Sequence, residues 1–206
     1  MSPVEVEKNF LVAVKPAGLL AVPGRGDSGR DCLLTRLQVH WPDVEVVHRL
    51  DMATSGLMVF ARGKAAQREL SIAFAQRRVS KGYVAVVQGQ LLSGEAGGRI
   101  DLALAADWPN RPRQKVDSVA GKPSLTHYRT IAYDPAQDTT RLALEPVTGR
   151  SHQLRVHLMA IGHPIVGDAL YGAAAQASRL LLHASALAFD DPDSGTRLQF
   201  VSEAPF

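Results

Sequence analysis

Residues 81–147 carry many strand signals and few helix signals, and this stretch restricts the possible folds more than any other. Residues 83–87 form a continuous β-prone run, as expected of a central strand. Residues 114–119, 124–133 and 140–147 resemble further strands, separated by short turns rich in Gly, Pro and Asp. Short turns join antiparallel neighbours, whereas parallel neighbours need long crossovers. The stretch therefore predicts a mainly antiparallel sheet.

Helices are predicted only outside this stretch. Residues 64–76 have apolar side chains at helical spacing, and residues 33–40 form a short helix that stops near Trp41-Pro42 because proline cannot continue it. A third helix is expected at residues 151–161, capped by Ser151 and closed by Gly162. Further strands are expected at residues 10–14, 57–61, 179–189 and 198–201, with a turn at Lys15-Pro16-Ala17-Gly18 and a loop at residues 23–27. The chain is thus predicted to be α+β.

Composition excludes some classes of protein. The 206 residues are 46% hydrophobic and 21% charged, as in an ordinary globular protein. No apolar run approaches the roughly 18 residues of a membrane helix, and the N-terminus lacks signal-peptide character, so we expect a cytoplasmic protein with no membrane partner. The single cysteine, Cys32, cannot form an internal disulfide and is expected to be a small packed side chain.

Basic residues occur in two clusters. The net charge of +3 and the isoelectric point near 9.2 permit a polyanionic partner without proving one. One cluster contains Arg77, Arg78 and Lys81, and another contains Arg111, Arg113 and Lys115. Either cluster could instead be solvated surface, and Arg77-Arg78 also suits the C-terminal end of a helix.

A short connection between two apolar runs concentrates the reactive side chains. It contains His48-Arg49-Leu50-Asp51, a Thr54-Ser55-Gly56 turn and then Leu57. Loops held by rigid elements commonly display functional groups, and Asp51 lies beside the permanent cation Arg49. From the turn alone, an Asp51 that only accepts backbone hydrogen bonds is an equal alternative.

The order His-Arg-Leu-Asp-x-x-Thr-Ser-Gly-Leu at residues 48–57 resembles the signature of the RluA-type pseudouridine synthases. Four more stretches resemble the same family, so the likeness covers residues 11–189. They are Lys15-Pro16-x-Gly18-Leu19, Lys81-Gly82-Tyr83-Val84-Ala85, the run from Val147 through Gly149-Arg150-Ser151-His152 to His157, and Leu180-Leu181-Leu182-His183-Ala184. Little is recognisable in residues 89–99 or at the C-terminus.

The resemblance implies a catalytic centre of three residues. Asp51 would be the nucleophile, and Tyr83 would pack on the base and is a candidate for proton transfer at C5. Arg150 would pair with the catalytic aspartate and keep it ionised. On their own, Tyr83 would more often be an ordinary strand aromatic, and Arg150 an exposed residue at the start of a helix.

The remaining expected site residues contact RNA. By resemblance, Arg49 fills the space left by the extruded base, Leu154 packs under the base, and Leu182 and His183 have supporting roles. His48 is assigned to the same RNA-binding set, together with Trp108, Arg111, Arg113 and Lys115 in a proline-stiffened basic loop suited to stacking and phosphate contacts. For Trp108 the alternative is a hydrophobic plug between lobes, and for Leu154 it is simple core packing.

The resemblance also implies the fold and the partners. We expect the pseudouridine synthase fold, α+β, with a mixed, mainly antiparallel central sheet, flanking helices and an active-site cleft between two lobes. Residues 1–206 would form a single catalytic domain with no S4-like N-terminal RNA-binding domain, active as a monomer without metal or cofactor. The expected substrates are a tRNA anticodon stem-loop, large-subunit ribosomal RNA, or both.

Two other classes of function remain open from the sequence. A non-catalytic RNA-binding module would explain the basic loops, but it gives no reason for Asp51 and Arg150 together. A metal-dependent hydrolase would use histidines with Asp51 or Asp168. However, His152 and His157 are five residues apart, unlike the i, i+4 pair of a zinc helix.

Overall fold

The computed structural model describes residues 4–24, 30–94, 96–172 and 177–206. Over these residues the chain forms twelve β-strands and three α-helices. They fall into two compact units, one made of residues 1–81 and 184–205 and the other of residues 82–183 and 206. Residues 25–27 of the predicted loop lie outside the described residues.

The first unit is a sheet with two helices. Its strands are β1 (Glu5–Val6), β2 (Phe10–Lys15), β3 (Val44–Val46), β4 (Ser55–Arg62), most of β11 (Leu182–Asp190) and β12 (Arg197–Val201). The order is β1-β2-β4-β11-β12, with β3 also paired to β4. The β1–β2, β2–β4, β3–β4 and β11–β12 pairs are antiparallel.

The helices of the first unit are α1 (Leu33–Gln38) and α2 (Gly63–Ala75), close to the predicted bounds. Helix α2 buries Ala66, Leu70 and Ala73, which lie on one face because they are four and three residues apart. This face packs in the core with Phe10 and Phe189, whose rings meet edge to face with centroids 5.2 Å apart. The core therefore lies between α2 and the sheet.

The register of β2 and β4 positions the functional loop. It pairs Lys15, at the end of β2, with Gly56, the second residue of β4 after the loop that carries Asp51. Gly56 has φ +118°, and a Cβ there would lie 2.3 Å from the carbonyl oxygen of Ala184. Only glycine fits, because β4 passes that close to the β11 backbone.

The second unit is built on an antiparallel sheet. Its strands are most of β5 (Ser80–Gln88), β6 (Gly98–Asp101), β9 (Leu125–Asp134) and β10 (Thr139–Pro146), in the order β5-β10-β9-β6. A separate hairpin joins β7 (Leu104–Ala106) to β8 (Gln114–Val116), and a 3-10 turn at Trp108–Asn110 lies between them. Helix α3 (Gln153–Ala160) contacts β8 and β10.

The predicted fold class is confirmed, with corrections at the helix ends. The capping role predicted for Ser151 is wrong: the N-cap residue of α3 is His152, which has φ 55° and no side-chain cap. The Gln153 Oε1 atom instead accepts the N–H of Arg150 at 3.0 Å. Gly162 closes the helix with φ +87°, as predicted. Cys32 is buried as predicted, and its sulfur also caps α1 by accepting the N–H of Thr35.

Within the described ranges, no helix has the length and apolar character that crossing a membrane requires.

Candidate active site

Asp51 lies in the connection between β3 and β4 and is half-buried. The connection is closed by a main-chain bond, in which the N–H of Thr54 donates to the carbonyl of Asp51 at 3.1 Å. Leu50 on one side and Thr54 on the other are buried, with 7% and 3% of their surface exposed. The carboxylate is therefore carried by a backbone that is anchored on both sides.

Lys15 anchors the same loop from β2. Its side chain is fully buried, and its Nζ donates to the carbonyls of Pro16 at 2.8 Å, Leu19 at 2.7 Å and Met52 at 2.9 Å. The Met52 carbonyl also accepts the N–H of Gly18 at 2.8 Å. The Lys15-Pro16-x-Gly18 stretch thus holds the residue that follows Asp51. From the sequence we predicted only a turn there; a lysine ending an apolar strand was the available signal.

His48 faces the interior of the first unit. Its Nε2 accepts the N–H of Val59 at 3.1 Å, and its ring stacks on Phe74 with centroids 4.5 Å apart. Burial, assisted by the positive charge of Lys81, lowers the pKa of His48 to about 3. The ring therefore packs between strand β4 and helix α2 while it stays partly exposed, and its contact with RNA remains a prediction. Arg49, the next residue, is exposed.

Tyr83 and Arg150 belong to the second unit. Tyr83 is half-buried in β5 and pairs with Leu144 of β10. Arg150 is exposed in the turn between β10 and α3, and its Nε donates to the carbonyl of Pro123 at 3.4 Å. Asp51 belongs to the first unit, so the assembly of the three residues into one centre stays a prediction.

A buried amide fixes the Arg150 turn. The Gln153 Oε1 atom accepts from the hydroxyl of Thr148 at 2.7 Å as well as from the Arg150 N–H. Its Nε2 donates to the carbonyl of Leu125 at 3.0 Å and to the hydroxyl of Thr126 at 3.1 Å. All four groups of this network lie next to the start of α3, so the turn that carries Arg150 is rigidly connected to β9.

Tyr171 connects the basic hairpin to α3. Its hydroxyl accepts the N–H of Gln114 at 2.6 Å and shares a hydrogen bond with His152 Nδ1 at 2.7 Å. The guanidinium groups of Arg113 and Arg155 lie 5.3 and 5.1 Å from its ring centre. Sequence reasoning missed this residue, since nothing local marks its partners.

Arg155 and Asp168 form a buried ion pair beneath Tyr171. The Nε and Nη2 atoms of Arg155 donate to the two carboxylate oxygens at 2.8 Å each. Burial would raise the pKa of Asp168, but the hydrogen bonds and charge of Arg155, with the N–H groups of Leu170 and Tyr171, lower it below its usual range. The pair serves the structure of the second unit, because both carboxylate oxygens are engaged by protein groups.

The basic loop presents an aromatic ring at the surface. Trp108 is 68% exposed, so it is not a hydrophobic plug, and the guanidinium of Arg111 lies 3.3 Å from its ring centre. Lys115 is exposed and pairs with Asp117 at 3.4 Å. Arg113 is half-buried against Tyr171. The loop therefore offers Trp108, Arg111 and Lys115 to solvent.

Three residues expected to contact RNA are buried. Leu154 is 7% exposed, Leu182 3% and His183 2%. In this structure all three side chains pack inside the protein, and their part in RNA binding stays a prediction.

The histidines of the metal-hydrolase alternative contact protein groups. His157 is buried between the hydroxyl of Thr126 and the carbonyl of Leu102, each 3.0 Å away, and His163 contacts the carbonyl of Gln88 at 2.8 Å. Among the described residues, no three His, Cys, Asp or Glu side chains cluster as a metal site would require. Their hydrogen-bonding partners give these histidines a structural explanation.

Comparison with known proteins gives consistent results. Residues 9–160 match the RNA pseudouridylate synthase family. The chain is 51% identical to the dual-specificity RNA pseudouridine synthase RluA of Yersinia pestis over 203 residues, 97% of each protein. It is 49% identical to the protein of that name from Escherichia coli K12, covering 97% of this chain and 91% of the relative.

Solved structures show the same fold. Human RNA pseudouridylate synthase domain containing 1 superimposes with a TM-score of 0.81 at 32% identity, over 100% of this chain and 84% of the other. Human RNA pseudouridylate synthase domain containing 4 has a TM-score of 0.76 at 23% identity, over 98% and 88% of the two chains, and supports the fold alone. With the identity to the bacterial enzymes and the match over residues 9–160, these results show that the chain belongs to the RluA family of RNA pseudouridine synthases, which isomerise uridine in RNA.

Proposed function

We propose that this protein isomerises specific uridines in structured RNA, with Asp51 as its nucleophile. The observation that carries the proposal is the anchoring of the Asp51 loop, whose next residue, Met52, is held by both Lys15 Nζ and the Gly18 N–H. Precise placement of a reactive group is a large part of enzymatic rate enhancement. A surface that only binds RNA would have no need for a carboxylate fixed in this way.

The reaction is an isomerisation and needs no redox partner. The bond between ribose C1′ and uracil N1 breaks, the base turns, and a bond forms between C1′ and C5. The proton on C5 leaves and N1 gains a proton, so atoms and electrons balance within the substrate. Asp51 can attack the ribose carbon, attack the base or remove a ribose proton, and each of these roles requires an ionised carboxylate.

We place Tyr83 and Arg150 with Asp51 in one catalytic centre. An arginine paired with the nucleophile would favour its ionised form and orient it. Tyr83 would lie against the base and is suited to proton transfer at C5. The base must leave its stack to reach the centre, and the exposed Arg49 would fill the gap.

The proposed substrates are a tRNA anticodon stem-loop and large-subunit ribosomal RNA. The dual specificity named for the relatives supports more than one kind of RNA target. Trp108, Arg111 and Lys115 would contact the substrate from the exposed loop, since aromatic rings stack on unpaired bases and cations neutralise phosphates. We further propose that residues 1–206 act as a single catalytic domain, as a monomer, in the cytoplasm where these RNAs mature; sedimentation and cell fractionation would test the last two points.

The test is pseudouridine formation on unmodified transcripts. Wild type and Asp51→Ala, both checked for folding by circular dichroism, are incubated with tRNA and ribosomal RNA without added metal or cofactor, and pseudouridine is mapped by chemical labelling. We expect product from the wild type and a loss of at least about 1,000-fold in Asp51→Ala, because removing a nucleophile abolishes the covalent route. The matched control is Asp31→Ala, which removes an exposed carboxylate just before helix α1 and should leave product formation at the wild-type level.

Each contrary result has a definite meaning. Product from both wild type and Asp51→Ala would show that another residue is the nucleophile. RNA binding by a folded wild type with no product on any transcript would favour the non-catalytic binding module.

A further inference from the structure

The second unit contains an open groove of about 640 Å³ beside the Arg150 turn. Its lining comes from the β7–β8 hairpin, the segment from Asp117 to Lys122 and the Arg150 turn. Its volume lies within the range of about 300–1,000 Å³ found for sites that hold small molecules. The lining side chains that bear on recognition are Trp108, Lys115, Asp117, Lys122 and Arg150.

The charges in the groove favour an anion. Lys115, Lys122 and Arg150 are all exposed, and Asp117 is the acidic residue among the lining side chains. Asp117 is already engaged: one oxygen accepts the N–H groups of Val119 and Ala120, and the other pairs with Lys115. These backbone donors, together with Lys115, hold the pKa of Asp117 below its usual range, so it is a fixed part of the turn.

Lys122 and Arg150 both line the groove, and their segments are in contact. Arg150 Nε donates at 3.4 Å to the carbonyl of Pro123, the residue that follows Lys122. The Lys122 backbone is itself fixed, because its N–H and carbonyl both pair with Leu104 of β7, at 2.8 and 3.0 Å. Two cationic side chains are thus carried by neighbouring, hydrogen-bonded segments of backbone. Such an arrangement suits the recognition of a phosphate.

Trp108 supplies an aromatic surface at the groove. The Arg111 guanidinium covers part of the ring, yet 68% of the residue remains exposed. A 3-10 turn containing Pro109 and the bond from Asn110 Nδ2 to Asp107 at 2.9 Å fix the backbone that carries the indole. An ordered, exposed indole is suited to stacking on an unpaired base.

We propose that this groove binds one unpaired nucleotide of the substrate RNA that neighbours the target uridine. The phosphate would lie between Lys122 and Arg150, and the base would stack on Trp108. The inference rests on the proposed function, because Arg150 belongs to both the groove and the proposed catalytic centre and so places the two sites side by side. Lys122 thereby becomes a substrate-binding residue, although it lies outside the family motifs.

The first test compares Lys122→Gln with Lys8→Gln, a matched removal of an exposed lysine in the first unit. Steady-state kinetics on an anticodon stem-loop transcript should give a KM raised about 3- to 10-fold for Lys122→Gln, with kcat within 2-fold of wild type. The slope of log Kd against log salt should fall by about 0.7 to 0.9, the value for one lost phosphate contact. A KM and a slope equal to those of Lys8→Gln would overturn the phosphate assignment.

The second test asks whether Trp108 stacks on one particular nucleotide of the RNA. Abasic substitutions are made singly at each position next to the target uridine, and Kd is measured with wild type and Trp108→Ala. At one position the abasic change should raise the Kd of the wild type about 5-fold or more. The same change should hardly alter the Kd of Trp108→Ala, because both changes remove the same stacking contact. Additive effects at every position would contradict the stacking contact.

The two proposals fail in different ways. If wild type makes no pseudouridine, the proposed function fails, while the binding comparisons can still be read with the same transcript. If wild type makes pseudouridine but Lys122→Gln and Trp108→Ala behave as Lys8→Gln does, only the nucleotide groove is wrong.

Discussion

At the scale of single residues, the buried ammonium of Lys15 gives the sharpest prediction. Lys15→Met keeps the aliphatic length but leaves the carbonyls of Pro16, Leu19 and Met52 without this donor. Unsatisfied buried groups are costly, so the free energy of unfolding should fall by about 3 kcal/mol. Since the loop after Asp51 also loses an anchor, single-turnover rates should fall about 10- to 100-fold, measured at temperatures where the variant is folded.

The control for this change is Lys8→Met, because Lys8 is exposed on the loop between β1 and β2. It should unfold in urea at the wild-type midpoint and turn over at the wild-type rate. A Lys15→Met protein with wild-type stability and wild-type rate would show that the Met52 carbonyl does not need this donor.

Sequence predicted the motif residues better than the side chains that support them. Asp51, Tyr83 and Arg150 are found from short, specific patterns, although their joint action remains a prediction. Lys15 contacts Met52 across 37 residues and Tyr171 contacts Gln114 across 57, so no local pattern could identify either partner. The packing of His48 on Phe74 was not predicted, because a motif does not show which side chains of a turn point inward.

At the scale of elements, Tyr171 ties the β7–β8 hairpin to the start of α3. Tyr171→Phe keeps the ring but leaves the Gln114 N–H of β8 without its acceptor and removes the bond to His152. The free energy of unfolding should fall by about 1 to 2 kcal/mol. RNA binding should also weaken, because Trp108 and Lys115 are carried by the same hairpin, and the Gln114 amide should exchange with deuterium faster.

Tyr133→Phe is the matched control at the end of the β9–β10 hairpin. The Tyr133 hydroxyl donates to Asp138 at 2.9 Å at an exposed site, so its removal should change stability by less than about 0.5 kcal/mol. If Tyr171→Phe changed neither exchange nor RNA affinity beyond this control, the hairpin would be held by other contacts alone.

Long runs with a regular pattern predicted their helix or strand correctly, whereas the shortest strands were not predicted. Helix α2 and strands β9 and β10 were predicted within one or two residues, because each has a long, regular run. Strands β1, β3, β6 and β7 have only two to four residues, too few for a periodicity to show. The strand predicted at residues 114–119 ends at Val116, since Asp117 accepts the N–H groups of Val119 and Ala120 and starts a turn.

At the scale of the whole molecule, chain order does not reveal the compact units. The first unit combines residues 1–81 with residues 184–205, and the second is made almost entirely of the segment between them. Such a division depends on contacts between distant segments, which composition and spacing do not encode. Urea unfolding followed by signals from each unit would show whether the two lose structure together, as the predicted single domain requires.

Two imidazoles whose pKa is lowered in the folded protein link folding to pH. Burial, assisted by Lys81, lowers the pKa of His48 to about 3, and burial also lowers the pKa of His157. In the unfolded chain a histidine takes up a proton near pH 6.5, whereas the folded protein keeps these rings neutral. The unfolded state therefore binds more protons below pH 6.5, so stability falls as pH falls, by at most about 1.4 kcal/mol per pH unit for each histidine. Above pH 7 neither ring changes charge on unfolding, and no loss is expected from them.

His48→Gln separates the contribution of one ring from the other. Glutamine does not titrate and offers an oxygen to the Val59 N–H that His48 accepts in the wild type. Between pH 7 and pH 5 the wild type should lose up to about 2 kcal/mol more unfolding free energy than His48→Gln, measured by urea denaturation at each pH. His40→Gln, a change at an exposed histidine, should keep the wild-type pH dependence. Equal pH slopes for wild type and His48→Gln would mean that the His48 ring takes up its proton without opening the packing between β4 and α2.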